Sequence, residues 1–139
     1  MEGNIMAVTG NSYIVELKRA HLEWGTHRYT GTRNEIYGEG YLHLPRQYAE
    51  RFEIYNSNYT GGDDILGINI FNCRSVDGLF EGVIKAQGCS GSGDIYAKQF
   101  SVNGDLRALG DWYSAVGAEI GDRVRVTWTS PTDIEIELL

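Results

Sequence analysis

Residues Gly25 to Phe52 read GTHRYTGTRNEIYGEGYLHLPRQYAERF, and the change of character inside this stretch decides the fold. Gly25 to Glu39 is polar and punctuated by glycine, with two arginines and a histidine between Trp24 and Asn34 and no acid among them. At Tyr41 the pattern turns apolar. Tyr41, Leu42, His43 and Leu44 predict a strand that Pro45 stops. Proline suits the first position of a helix, because its fixed φ and missing N–H cost nothing there. The next seven residues then place Tyr48, Ala49 and Phe52 on one stripe, with Arg46, Gln47, Glu50 and Arg51 on the other. A polar arm mounted on a strand–proline–helix unit is a way for a small domain to present side chains to a partner.

The rest of the chain frames this unit with strands. Ser12 to Trp24 alternates, with Tyr13, Val15 and Leu17 on one face, and predicts the first strand. Asn56 to Asp64 (NSNYTGGDD) has turn chemistry. Leu66 to Cys73, Leu79 to Gln87 and Ile95 to Val102 read as three more strands, the first carrying Leu66, Ile68, Ile70 and Asn72 on one face. Between the second and third of these lies GCSGSGD, Gly88 to Asp94, a second flexible arm, and Asn103-Gly104 closes the third with a tight turn. Leu106 to Val116 predicts a short helix broken near Gly110, and Gly117 to Asp122 a turn. Val124, Val126 and Trp128 alternate, as do Ile134, Ile136 and Leu138, so SPTD joins a hairpin. Its outer face sets Arg123 and Arg125 against Glu135 and Glu137, which predicts cross-strand charge pairs. Residues 1–11 are patternless and predict a loose N-terminal segment; residues 12–139 predict a single, mainly β domain of about seven strands and two short helices.

Composition narrows the functional classes. A chain of 139 residues with 18 glycines suits a turn-rich β architecture and buries roughly 70% of its unfolded surface without staples. No apolar run approaches the ~20 residues of a membrane span, and no secretory h-region opens the chain. Cys73 and Cys89 fit neither a disulfide framework nor a zinc pattern, so reduced thiols and a cytoplasmic location are expected. The net charge of −7 weighs against nucleic acid, but it is uneven: −1 over residues 1–60 and −6 over residues 61–139. A local basic footprint on an acidic body still binds phosphate, with weaker long-range steering.

Three segments resemble the B3-like pseudobarrel DNA-binding domains, found in plant transcription factors and in the effector or target-recognition domains of restriction endonucleases. YLHLPRQYAERF, Tyr41 to Phe52, is similar to that family's strand–Pro–helix pattern. GDWYSAVGAEIGDRVRVTW, Gly110 to Trp128, resembles its Gly-Trp…GD-x-Val-x-Phe ending, with Asp111 inserted between the glycine and the tryptophan. The Gly/Ser-rich loop Gly88 to Asp94 lies between two strands, as the family's second arm does. The resemblance spans roughly residues 12 to 138. It implies an open seven-stranded pseudobarrel whose two projecting arms, here Gly25–Glu39 and Gln87–Gln99, enter the major groove of double-stranded DNA. The protein would then be a regulator or the recognition module of a restriction system whose nuclease lies in another chain.

The arms hold suitable chemistry. Arg28 and Arg33 fit guanine or phosphate; Asn34 and Gln87 or Gln99 fit adenine. Thr30, Thr32, Ser90 and Ser92 donate to phosphate, Tyr29 stacks or hydrogen-bonds, and Lys85 and Lys98 supply point charges. Asp94 suits either cytosine N4 or an Asx-turn that holds its own loop. Arg46 and Arg51 read as a solvated face, His21 and His43 as strand histidines, Trp112 and Trp128 as core. No catalytic constellation is expected: Glu16-Leu17-Lys18 is half of a nuclease core without its metal-binding acid, and GCSGSG lacks the lysine of a phosphate loop. Neither a cofactor nor a metal is called for. Two other classes remain open. One is a protein-interaction module using Tyr29, Tyr37, Tyr55 and Tyr59; the other is a small-ligand barrel with an aromatic-lined pocket.

Overall fold

The computed structural model describes residues 9–18, 40–88, 93–102 and 104–139. Among these residues, seven strands and two helices follow in the order β1 (Ser12–Glu16), β2 (Leu42–His43), α1 (Arg46–Arg51), β3 (Ile70–Ser75), β4 (Glu81–Gln87), β5 (Gln99–Val102), α2 (Ala108–Ala115), β6 (Arg123–Ser130) and β7 (Asp133–Leu138). The strands form one mixed sheet in the order β1-β6-β7-β3-β4-β5-β2. Every neighbouring pair is antiparallel except β3 with β7. The sheet curls into a nearly closed barrel with an unsealed seam between its edge strands, β1 and β2. Across that gap the Tyr13 hydroxyl donates to the His43 carbonyl at 2.8 Å.

Strand direction sorts the connections onto two rims. The chain leaves β1 and re-enters β2 at the rim that also carries the β3–β4 turn and α2. The β4–β5 connection opens from the opposite rim, with α1 and the β6–β7 turn. The barrel interior is filled by the alternating residues that the strand period predicts. Trp128 is its hub, set edge-to-face against Phe52 and Phe71 and tilted against Tyr13 and Phe100. Its indole N–H finds no acceptor among the described residues, a cost of about 1–3 kcal/mol that this aromatic burial offsets.

The helices are short because their ends are specified locally. Pro45 stands at the N-cap of α1 rather than at the first helical position expected of it, and its carbonyl accepts the first helical bond from Ala49. α1 ends in a Schellman arrangement, with Ile54 N–H bonded to the Ala49 carbonyl and Glu53 N–H to Glu50. Glu53 takes φ = 56° there, where glycine is the usual residue. α2 ends in the same way on Gly117, at φ = 68°.

Three local expectations are corrected. Leu66 to Asn69 is a turn, not the start of a strand. Gly67 has φ = 89°, and the buried Asn69 side chain accepts from Ile65 N–H (2.6 Å) while donating to the Asp63 carbonyl (2.8 Å). β3 therefore starts at Ile70 and buries Phe71, Cys73 and Ser75. Residues 95–98 are not ladder either, apart from a single bridge between Tyr96 and Tyr55. And α2 runs unbroken through Gly110, because Leu109, Trp112 and Tyr113 bury one face of it and outweigh the ~1 kcal/mol glycine penalty. The hairpin of β6 and β7 forms as expected. Arg125 pairs with Glu137 at 3.2 Å, while Glu135 takes Arg74 of β3 at 3.6 Å rather than Arg123.

Candidate nucleic-acid interface

The first arm, Gly25–Glu39, with Arg28, Tyr29, Thr30, Thr32, Arg33 and Asn34, lies outside the described residues, as do Ser90 and Ser92 at the tip of the second. What the structure describes is the seam side of the barrel and the root of the second arm.

That root is a clasp built around Asn56. Its side-chain amide donates to the Asp94 carbonyl (2.9 Å) and the Tyr96 carbonyl (3.1 Å), while its oxygen accepts from Asn58 N–H at 2.8 Å. Its backbone N–H reaches the Ile95 carbonyl at 2.8 Å, and the Asn58 amide adds a second bond to the Asp94 carbonyl at 2.9 Å. Gly88 is required for this closeness: a Cβ on it would lie 2.7 Å from the Asn56 amide nitrogen and 3.0 Å from the Tyr96 carbonyl oxygen. So the strand β4 runs straight into a fixed exit, and β5 begins from an equally fixed entry.

Asp94 forms the Asx-turn, accepting from Tyr96 N–H at 3.1 Å through one carboxylate oxygen. Its other oxygen takes the Arg46 guanidinium, which also holds Glu50 at 2.7 Å. The Tyr96 N–H bond, then Arg46, holds the Asp94 carboxyl below the usual carboxylate range. Arg46 is thus not the merely solvated helix residue that its spacing suggested. It ties α1 to the second arm and lies over the Tyr96 ring, 5.3 Å from the centroid. Arg51, on the same helix, lies over Tyr48 at 5.6 Å.

The other described arm residues sit on the same two strands. Gln87 and Gln99 face each other as the last and first residues of β4 and β5, and the Gln87 side-chain oxygen accepts from Ser101 Oγ at 2.6 Å. Lys85 is half-buried and paired with Asp64 at 3.0 Å. Lys98 is exposed, with its backbone N–H bonded to the Gln87 carbonyl at 2.7 Å. Asn56 was missed in the sequence because NSNYTGGDD reads as a generic turn.

Next to the clasp, three tyrosines are stacked. Tyr55 and Tyr59 lie 3.9 Å apart with rings 9° from parallel, and Tyr55 and Tyr96 lie 5.5 Å apart at 25°. Burial and a bond to Glu53 push the Tyr55 hydroxyl up to about 12, so it stays a neutral donor at 3.1 Å from that carboxylate.

Among the described residues, two open surface cavities are each about 570 Å3. One lies on the outer face of β3, β4 and β7, with Asn72, Arg74, Glu81, Val83 and Asp133 in its lining. The other lies on the seam, lined by Ile14, Glu16, Lys18, Tyr41 and His43 among others. Burial and the nearby Lys18 lower the His43 pKa, which favours a neutral imidazole at pH 7. Neither set of lining residues is the aromatic wall a sugar pocket needs. Among the described residues no group of three or more His, Cys, Asp or Glu is placed to hold a metal ion, and no helix is long and apolar enough to cross a membrane. Compared with protein-family models, curated proteins and solved structures, the chain matches none.

Proposed function

We propose that the protein is a sequence-specific double-stranded DNA-binding module of B3-like type, a regulator or the recognition part of a restriction system. The observation that carries the reading is the placement of the two arm connections about the open seam. The β1–β2 connection joins the two strands that border the seam; the β4–β5 connection joins the neighbouring pair and leaves from the opposite rim. β1, five residues long at about 3.3 Å per residue, puts those rims ~15 Å apart. A major groove of about 12 Å fits between supports at that separation. The resemblance of Tyr41–Phe52 and Gly110–Trp128 to the B3-like domains points the same way.

In this reading Arg28, Arg33 and Asn34 of the first arm read base edges and Thr30, Thr32, Ser90 and Ser92 hold phosphates, with Tyr29, Gln87 and Gln99 beside them. Lys98 supplies a point charge to the backbone. Lys85 does so only by giving up Asp64. Asp94 serves by fixing the second arm, since both carboxylate oxygens are engaged within the protein. The clasp matters energetically: the bonds of Asn56 to the Asp94 and Tyr96 carbonyls fix the root of the arm before binding, and that root loses no further conformational freedom on the DNA.

The test is selection from a randomised duplex pool, followed by affinities across ~50 to 200 mM salt, where phosphate neutralisation releases counterions and binding weakens steeply. Arg28→Ala/Arg33→Ala is expected to abolish the selected preference. Absence of binding at the lowest salt, or unchanged affinity in the double variant, overturns the reading.

A further inference from the structure

The tyrosine stack at the second arm is built to be continued. Arg46 covers Tyr96, Tyr96 lies on Tyr55, and Tyr55 lies on Tyr59. Among the described residues, Arg46 is tied by ion pairs, and Tyr96 and Tyr55 each have two neighbours in the series, while Tyr59 has Tyr55 alone. Tyr59 is 52% exposed although one ring face lies 3.9 Å from Tyr55, so its exposure belongs to the opposite face and the ring edge. The loop that carries it is held at many points. Tyr59 N–H bonds to the Asn56 carbonyl, Gly62 N–H to Ser57, and Thr60 Oγ1 to the Asp63 carbonyl at 2.6 Å. Asn69 anchors the same loop from the interior. A fixed ring with one open face, extending a parallel stack, suits a second flat π-surface at van der Waals distance. The amides and carboxylate that would grip sugar hydroxyls, Asn56, Asn58 and Asp94, are occupied in closing the arm root.

We propose that Tyr59 stacks a nucleobase that has left the helical stack of the bound DNA, so the site recognised includes an extrahelical or unpaired base beside the second arm. The inference rests on the DNA-binding reading. Tyr59 is four residues beyond Tyr55, whose backbone bridges Tyr96 two residues past Asp94, so the stack and the arm share one footing. Base–aromatic stacking is tolerant of base identity, because every base offers a π-face. Tyr59 would therefore recognise the unpaired state, and the arms the sequence.

The experiment uses the duplex selected above, prepared fully paired and with a single unpaired adenine inserted at each successive position. The full-length protein is expected to bind one register of the unpaired form about tenfold more tightly than the paired form. Tyr59→Ala loses that advantage and keeps the affinity for paired duplex, while Tyr59→Phe and Tyr59→Trp keep both. Equal affinity for every form, or an advantage that survives in Tyr59→Ala, overturns this proposal and leaves duplex recognition standing. If neither form binds, the DNA-binding reading falls and takes this one with it. Tyr59-dependent binding to a glycan panel with no DNA binding does the same, and assigns the ring to sugar.

Discussion

Asn56, an uncharged side chain, ties together the segments at the root of the second arm. It is 2% exposed, and its one side chain satisfies two carbonyls and one N–H in the segments that frame the second arm. Truncation removes the Asn56 bonds to the Tyr96 carbonyl and the Asn58 N–H and leaves the Asp94 carbonyl only its Asn58 bond, so Asn56→Ala is expected to cost about 2 kcal/mol, read from urea unfolding. Gly88→Ala attacks the same contact from the other side, since its new Cβ must displace the Asn56 amide. It is expected to weaken the clasp while leaving the distant β6–β7 hairpin untouched. Hydrogen exchange separates the two: amides of Asn58 and Tyr96 speed up, those of Val124 and Val126 do not. Uniform acceleration across the barrel would show that Asn56 is a general core residue and not a local clasp.

Among the carboxylates that close turns in the described residues, three have a lowered pKa. Asp77 accepts from Ser75 Oγ, Leu79 N–H and the Trp112 indole, joining the β3–β4 turn to α2. Asp94 holds the second arm, and Asp133 accepts from Ser130 Oγ and Asn72 at the β6–β7 turn. Each is held below the ordinary carboxylate range, led by the Ser75, Tyr96 and Ser130 bonds respectively. A carboxyl whose folded pKa is lower than its unfolded value contributes stability that is complete above the unfolded value and lost as pH falls through the folded one. The urea midpoint should therefore hold level from neutrality to about pH 5 and fall below about pH 4. A midpoint that stays flat to pH 3 would dismiss these three turns as pH-sensitive elements. The same elements show where sequence pattern runs out. Alternation at Leu66, Ile68 and Ile70 mimics a strand, but Asn69 turns inward and ends that alternation. Gly110 looks like a helix breaker, yet the burial of Leu109, Trp112 and Tyr113 overrides it.

Among the described strands the shortest is β2, two residues long and paired with β5 at the edge of the sheet. Two buried tyrosines hold it from inside the barrel. Tyr13 reaches the His43 carbonyl across the seam, and Tyr113 of α2 reaches the Tyr41 carbonyl at 2.9 Å. Burial drives both hydroxyls well above their ordinary pKa, so they remain donors throughout the working range. Tyr13→Phe/Tyr113→Phe keeps the ring packing and removes both bonds. It is expected to cost about 2 kcal/mol and to speed exchange at the Leu44 amide, which is bonded to the Lys98 carbonyl. If β2 stays as protected as in the parent protein, the seam is held by the β5 pairing alone. Under the DNA-binding proposal, and because β2 borders the seam, the same double variant is expected to loosen binding by altering the frame, without changing which sequence is preferred.

The sequence by itself determined the elements that depend on local periodicity and local stops: the β6–β7 hairpin, the strand–proline–helix unit and its end at Phe52, and the core placement of Trp112 and Trp128. These follow from side-chain alternation, proline and capping, which act over a few residues. Only the tertiary structure decided that the two arm connections leave from opposite rims beside one seam, because that depends on strand order across the whole chain. It also decided that Asn56 clasps Asp94 from 38 positions away and that Arg46 belongs to the second arm. Asparagine and arginine in polar stretches carry no pattern of their own; their roles come from the partners that folding brings to them.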